Sequence, residues 1–462
     1  MNNYKTGECL QKISFIVEKK GLFDEIQSEK MHFEEIVNQT HDLLVNGHFG
    51  DFFQKIDIIS DELSKGTPEM MFILEKNLIL EDMFRLIEQN DNYPIDIILR
   101  FFSNAIFVAD NNYCDVIYES SVFPLILNNL INENNPSCMK SCLISIINLS
   151  SVLLSHGFDI LSKIPLSQLN NIVQDNIETI GWVFVHFLAK LYKEYELSIE
   201  EDVLEMVAQI ALQIFEISCP EKERLASTLS MYILSFPDII LVFIQNNVYD
   251  DLHQIVFEIA SVLGIYRVSI DCLKKTNTYL IENLYSSFST ASIKRILKKY
   301  SNTRMEKDAL YLAKFYFKSN PQKISSSNSL QCIQITYEIL VECSFISKVY
   351  CYKLINTIVR YGPPDIARNI NDIGFSEYAI DCLDRGEDYL LIIVLKYLCN
   401  IIAKLKERIE INLILSSWND LGIMDKLNKA DNYSDKRSIA YASCLSESIM
   451  YLLENKTDPT FS

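Results

Sequence analysis

Asn104, Asn148 and Asn400 each fall 25 residues after an apolar residue that opens a helix-like stretch, namely Ile79, Phe123 and Phe375. Asn104 and Asn148 are 44 residues apart, and so are Asn356 and Asn400. That interval is close to the period of stacked helical repeats, in which no single unit buries its own apolar face and its neighbours must cover it. A chain with this pattern is expected to be all-α and to act through an extended surface.

Other positions repeat with the asparagines. Five residues before them stand Leu99, Leu143, Cys351 and Leu395, and two residues before them stand Phe102, Ile146, Leu354 and Leu398. These offsets place two apolar anchors on one side of a helix. The opening residues have apolar partners four and seven positions on, as in Ile79, Met83, Leu86 and in Phe123, Leu127, Leu130. Weaker copies start at Phe375 and Ile423.

Length points the same way. A single core stops growing at roughly 250–300 residues, so 462 residues must divide or extend as an array. Only 12 glycines and 11 prolines are present, too few for the turns of a large β-sandwich or barrel. They fall between helix-sized pieces, at Gly66-Thr67-Pro68, Asn132 to Pro136, Cys219-Pro220, Phe236-Pro237 and Tyr361 to Pro364. We expect one array over residues 1–462, with a soft boundary or flexible loop at the low-complexity segment 319–329.

At these positions the chain resembles the armadillo family, whose three-helix repeat opens on a glycine–apolar–proline motif and closes its last helix on an asparagine. Ser121-Val122-Phe123-Pro124, Gly374-Phe375 and Gly422-Ile423 are similar to that opening, and Ser103-Asn104, Asn148-Leu149 and Cys399-Asn400 to that ending. The resemblance covers residues 70–155 and 345–450 and implies a right-handed α-solenoid of irregular armadillo/HEAT-like repeats. It also implies that the amides of Asn104, Asn148, Asn356 and Asn400 line a groove and bond the backbone of an extended partner segment. Such an amide can meet a peptide unit with both a donor and an acceptor. The family's nuclear-import adaptors add a tryptophan four residues before the asparagine. Here those positions hold Arg100, Ile144, Tyr352 and Lys396, so Tyr352 is the one ring able to stack on a basic ligand, and a carrier of basic signals is the second reading.

A net charge of −19 disfavours nucleic acid and anionic membrane surfaces and favours basic protein partners. One stretch opposes it. Lys294, Arg295, Lys298 and Lys299, interleaved with Ile293, Ile296, Leu297 and Tyr300, read as a basic amphipathic helix and a secondary docking patch.

The 12 cysteines include no C-x-x-C pair and the N-terminal residues show no basic-then-apolar signal, so reduced, buried thiols in the cytoplasm or nucleus are expected. The apolar run from Thr228 to Gln245 is broken at Pro237-Asp238, and that from Leu390 to Ile402 carries Lys396, so no membrane-spanning segment is expected. His32, His41 and His48 lack the spacing of a metal site, and no phosphate-binding loop or nucleophile elbow occurs. No cofactor, metal or catalytic residue is assigned; an enzyme would need a closed pocket with converging polar groups.

Overall fold

The computed structural model describes residues 31–454, apart from 67–68, 90–92, 133–134, 154–155, 157–158, 161–162, 165, 195–200, 218–220, 326, 385–387, 407–410, 430–432 and 434. The expected breaks at Thr67-Pro68 and Cys219-Pro220 and the N-terminal segment lie outside the described residues. Among the described residues all regular elements are helical. Contacts divide the chain into two compact units, 1–221 and 222–462. The segment 319–329 lies inside the second unit, where a 3-10 turn, Pro321–Lys323, follows one long helix closely and precedes another.

In the first unit α1 (Phe49–Leu63), α2 (Ile95–Val108), α3 (Pro136–Val152) and α4 (Ile177–Glu194) pack each against the next in chain order, and the helix Glu201–Glu216 packs against α4. In the second unit α5 (Lys222–Ser235), α6 (Val262–Thr276), α7 (Glu306–Ser319), α8 (Phe345–Tyr361), α9 (Asp388–Leu405) and α10 (Lys436–Glu454) do the same. Further helices fill the intervals, among them Ser327–Glu342 between α7 and α8.

The apolar anchors explain this pairing. Leu99, Leu143, Cys351 and Leu395, with Phe102, Ile146, Leu354 and Leu398, are all fully buried. Each large side chain so covered contributes about 1.5–3 kcal/mol relative to exposure, and a lone helix cannot cover both of its flanks. Local signals set the helix ends. Asn135 accepts from the Ser137 amide ahead of Pro136, and Ser289 accepts from the Ser292 amide at the start of Thr290–Tyr300. Pro237-Asp238 does break the 228–245 run, into α5 and the helix Ile239–Gln245. Among the described residues no helix is long and apolar enough to cross a membrane.

The short helices meet at tight corners. Leu78, Asn247, Gly374 and Gly422 all have positive φ, of 61°, 57°, 111° and 74°, and each is followed by a fully buried residue: Ile79, Val248, Phe375 and Ile423. A left-handed residue turns the chain within one step and aims the next side chain inward. Glycine and asparagine tolerate this; Leu78 takes it at a cost of about 1–2 kcal/mol.

Hydrogen bonds between elements keep the same interval. Asn104 reaches back 44 residues to Ser60, and the Tyr300 hydroxyl reaches back 44 to the Val256 carbonyl. His41 meets Asp82, 41 residues on, at 2.7 Å.

Candidate partner-binding site

The four asparagines all sit half-buried near the C-terminal parts of long helices, at equivalent register. Three of them are used within the fold. Asn104 donates its amide to the Ser60 carbonyl at 2.9 Å and its hydroxyl at 3.0 Å, joining α2 to α1. Asn356 donates to the Ile393 carbonyl at 3.0 Å, and Asn400 donates to the Asn356 side-chain oxygen at 2.9 Å, so α8 and α9 are joined twice. Asn148 differs. Its side-chain nitrogen is buried and makes no hydrogen bond among the described residues.

The residues four positions before the asparagines do not form a stacking row. Tyr352 is a correction to the expectation that its ring faces a ligand: it is fully buried, with its hydroxyl donating to the Phe375 carbonyl at 3.1 Å and its ring 5.5 Å from that of Tyr397. Burial pushes its phenol well above the ordinary value. A tyrosine whose polar end finds an internal carbonyl is more stable inside than at a groove surface. Arg100 pairs with Asp57, and Lys396 is exposed.

The basic helix, Thr290–Tyr300, buries Ile293, Ile296, Leu297 and Tyr300, as its spacing indicates. Its cations are not equally available. Lys294 donates to Gln331 at 2.9 Å, Arg295 lies 4.2 Å from the Phe257 ring, and Lys299 donates to the Phe257 carbonyl. Lys298 is exposed at the edge of a cavity of about 680 Å³ that also holds Gln334, Glu338 and Glu342.

A second group of cations, absent from the sequence expectations, lies on α6, α7 and α8. The Lys274 and Lys314 ammoniums stand 4.5 and 4.7 Å from the Phe315 ring centroid, and Lys318 stands 5.8 Å from it. Lys353 is 5.0 Å from the Tyr350 ring and donates to the Tyr389 hydroxyl of α9 at 2.7 Å. Burial, then the Lys274, Lys353 and Lys318 charges, bring Lys314 down from 10.5 to about 8. The signal was present in the letters: Lys274, Lys314 and Lys353 are 40 and 39 residues apart, and Tyr311, Tyr350 and Tyr389 are each 39 apart.

No protein-family model matches the chain, and no curated protein matches it. Among solved structures, the crystal structure of an engineered protein superposes with a TM-score of 0.66 at 12% identity, over 90% of this chain and 99% of that one. At that identity the likeness concerns the fold alone.

Ten cysteines lie in the described residues, and most of them are buried or half-buried. Burial, the largest influence on each, raises Cys114, Cys332 and Cys399 to about 12. Such thiols remain protonated and unreactive at neutral pH.

Proposed function

We propose that the chain is a right-handed α-solenoid of irregular armadillo/HEAT-like repeats that works as a non-enzymatic scaffold, in the cytoplasm or nucleus, holding a segment of a protein partner along its long helices. The observation that carries this reading is the equal register of half-exposed side chains on helices that pack in chain order, with the Asn148 amide left unbonded beside them. An unbonded buried donor costs about 1–3 kcal/mol, which a partner's carbonyl would recover on binding once the half-buried side chain turns its amide to the surface. The carrier of basic signals is not favoured, because Tyr352 is committed to the core.

The test uses Asn148→Ala. Partners captured by the wild-type chain from a lysate are identified, and the affinity of a purified partner is then measured with both proteins. A net hydrogen bond of about 0.5–1.5 kcal/mol predicts a loss of roughly 2- to 13-fold with an unchanged melting temperature. Equal affinity for the two proteins would place the partner elsewhere.

A further inference from the structure

The lysines around Phe315 form a site with a geometry of its own. Three ammoniums from two helices converge on one ring: Lys274 of α6, and Lys314 and Lys318 of α7. Each contacts the same centroid within the range of a cation–π contact, about 6 Å, and Lys314 and Lys318 stand one helical turn apart on α7. Lys353 of α8 extends the group through Tyr350, whose ring lies 6.0 Å from Tyr311. Carboxylates answer only part of this charge. Asp271 pairs with Lys274 at 2.6 Å and accepts from the Tyr311 hydroxyl, while Asp308 is held by Arg267 at 2.5 Å. Lys314 and Lys318 pair with no carboxylate among the described residues.

Concentrated positive charge in a chain of net −19 requires a reason. Placing the half-buried Lys314 beside other ammoniums is unfavourable, since burial and mutual repulsion both oppose its ionisation. A local excess of cations with an apolar floor is a poor match for a single carboxylate, which meets one or two ammoniums. It suits a compact anion of high charge, whose several oxygens reach all of them at once, and lysine binds phosphate as a mobile point charge.

We propose that Lys274, Lys314, Lys318 and Lys353 form a binding site for a polyphosphorylated anion, with Phe315 as its floor. Lys353 stands three residues before Asn356 on α8, so the site borders the asparagine row, but it does not depend on that row binding a peptide. The same chemistry could come from a soluble polyphosphate or from a phosphorylated lipid headgroup. The net charge of the chain opposes approach to an anionic membrane, so the soluble form is the expected one.

The crowding of Lys314 gives the site a pH signature. At pH 7 it is ionised and ready to meet the anion; as pH rises through about 8 it loses its proton and the site loses one charge. The groups facing it are Lys274 and Asp271 of α6, Lys318 of α7 and Lys353 of α8. Anion binding should therefore weaken between pH 7 and 9 and should hold Lys314 protonated to higher pH.

Calorimetric titration of the full chain with sodium tripolyphosphate tests the proposal, with vesicles of phosphatidylcholine containing a phosphatidylinositol bisphosphate as the second arm. The expected result is saturable one-to-one binding of tripolyphosphate, weakened at least tenfold by Lys314→Gln with Lys318→Gln and changed less than twofold by Lys65→Gln, an exposed lysine of the first unit. Wild-type affinity should fall between pH 7 and 9, and the pH dependence should flatten in the double variant. Vesicle binding that is lost in the same variant would assign the site to a lipid headgroup. Absence of saturable binding at millimolar tripolyphosphate, or an equal loss with Lys65→Gln, would overturn the proposal. Circular dichroism of each variant shows whether it is folded, and Lys353→Gln supplies an independent variant should the double one fail to fold.

Discussion

Asn400 donates its side-chain amide to the side-chain oxygen of Asn356, 44 residues earlier, at 2.9 Å, so α8 and α9 are joined through the two residues that share this spacing. Asn356 passes its own amide to the Ile393 carbonyl of α9. The pair ties α8 and α9 in both directions, and a cycle of bonds of this kind is not the sum of its parts.

A double-mutant cycle measures that coupling. Asn400→Ala should cost about 0.5–1.5 kcal/mol in urea unfolding, and Asn356→Ala more, because it also frees the Ile393 carbonyl. In the double variant the two losses should fall short of adding, by about 0.5 kcal/mol or more. Strict additivity would show that the 2.9 Å contact contributes nothing.

Asn104 and Asn148 occupy the same register but differ in bonding, so alanine should separate them. Asn104→Ala removes two contacts to Ser60 and should lower stability by about 1 kcal/mol. Asn148→Ala removes a donor without a partner and should leave stability unchanged or slightly raised. Thermal melts of the two single variants decide this, and equal losses would mean that Asn148 is bonded in solution.

How much of this was legible in the sequence depends on what each residue does. The anchors at Leu99, Leu143 and Leu395 were readable because burial on a helix imposes a period that the chain repeats. The copy at Asn247-Val248 was missed because its residue 25 positions on is Leu273, so the marker was absent while the corner remained. The fate of Tyr352 was not readable: whether a ring joins the core or lines a surface depends on which neighbour offers a carbonyl, here Phe375. The cluster around Phe315 left only a spacing in the letters, with Lys274, Lys314 and Lys353 at intervals of 40 and 39; that Lys274 and Lys314 meet one ring follows only from how their helices pack.

The left-handed corners can be ranked by what an added methyl would meet. At Gly374, with φ of 111°, a Cβ would come within 2.6 Å of the Tyr337 hydroxyl; at Gly422, with φ of 74°, it would meet nothing within 4 Å. Gly422→Ala should therefore cost only the backbone strain, about 1–2 kcal/mol, and Gly374→Ala clearly more. Denaturant midpoints giving the reverse order would show that the Tyr337 side chain yields without cost.

Thiol chemistry should follow exposure. Cys444 is exposed, whereas Cys114 and Cys332 are buried and raised to about 12. Brief alkylation at pH 8, mapped by mass spectrometry, should label Cys444 well before either of them. Rapid labelling of Cys114 in the folded chain would contradict the packing of Asn111–Glu119.

The last prediction concerns the ammonium of Lys314, whose ordinary value of 10.5 is lowered to about 8 in the folded chain by burial and by neighbouring lysines. Below pH 8 the side chain is charged in both the folded and unfolded states, so the fold bears the full cost of crowding. Between pH 8 and about 10.5 the folded state gives up this proton first, the unfolded state binds more protons, and stability contributed by this group rises with pH. Lys314→Met keeps much of the side chain's apolar volume and removes the charge. It should therefore be more stable than wild type at pH 7, by on the order of 1 kcal/mol once solvent screening of a half-buried site is allowed for, and the gap should close towards pH 10.5. Melting temperatures of both proteins at pH 7 and pH 10, in the absence of phosphate, test the sign. A variant less stable than wild type at pH 7 would mean that the Lys314 contacts with Tyr311 and Phe315 outweigh the repulsion from Lys274, Lys318 and Lys353.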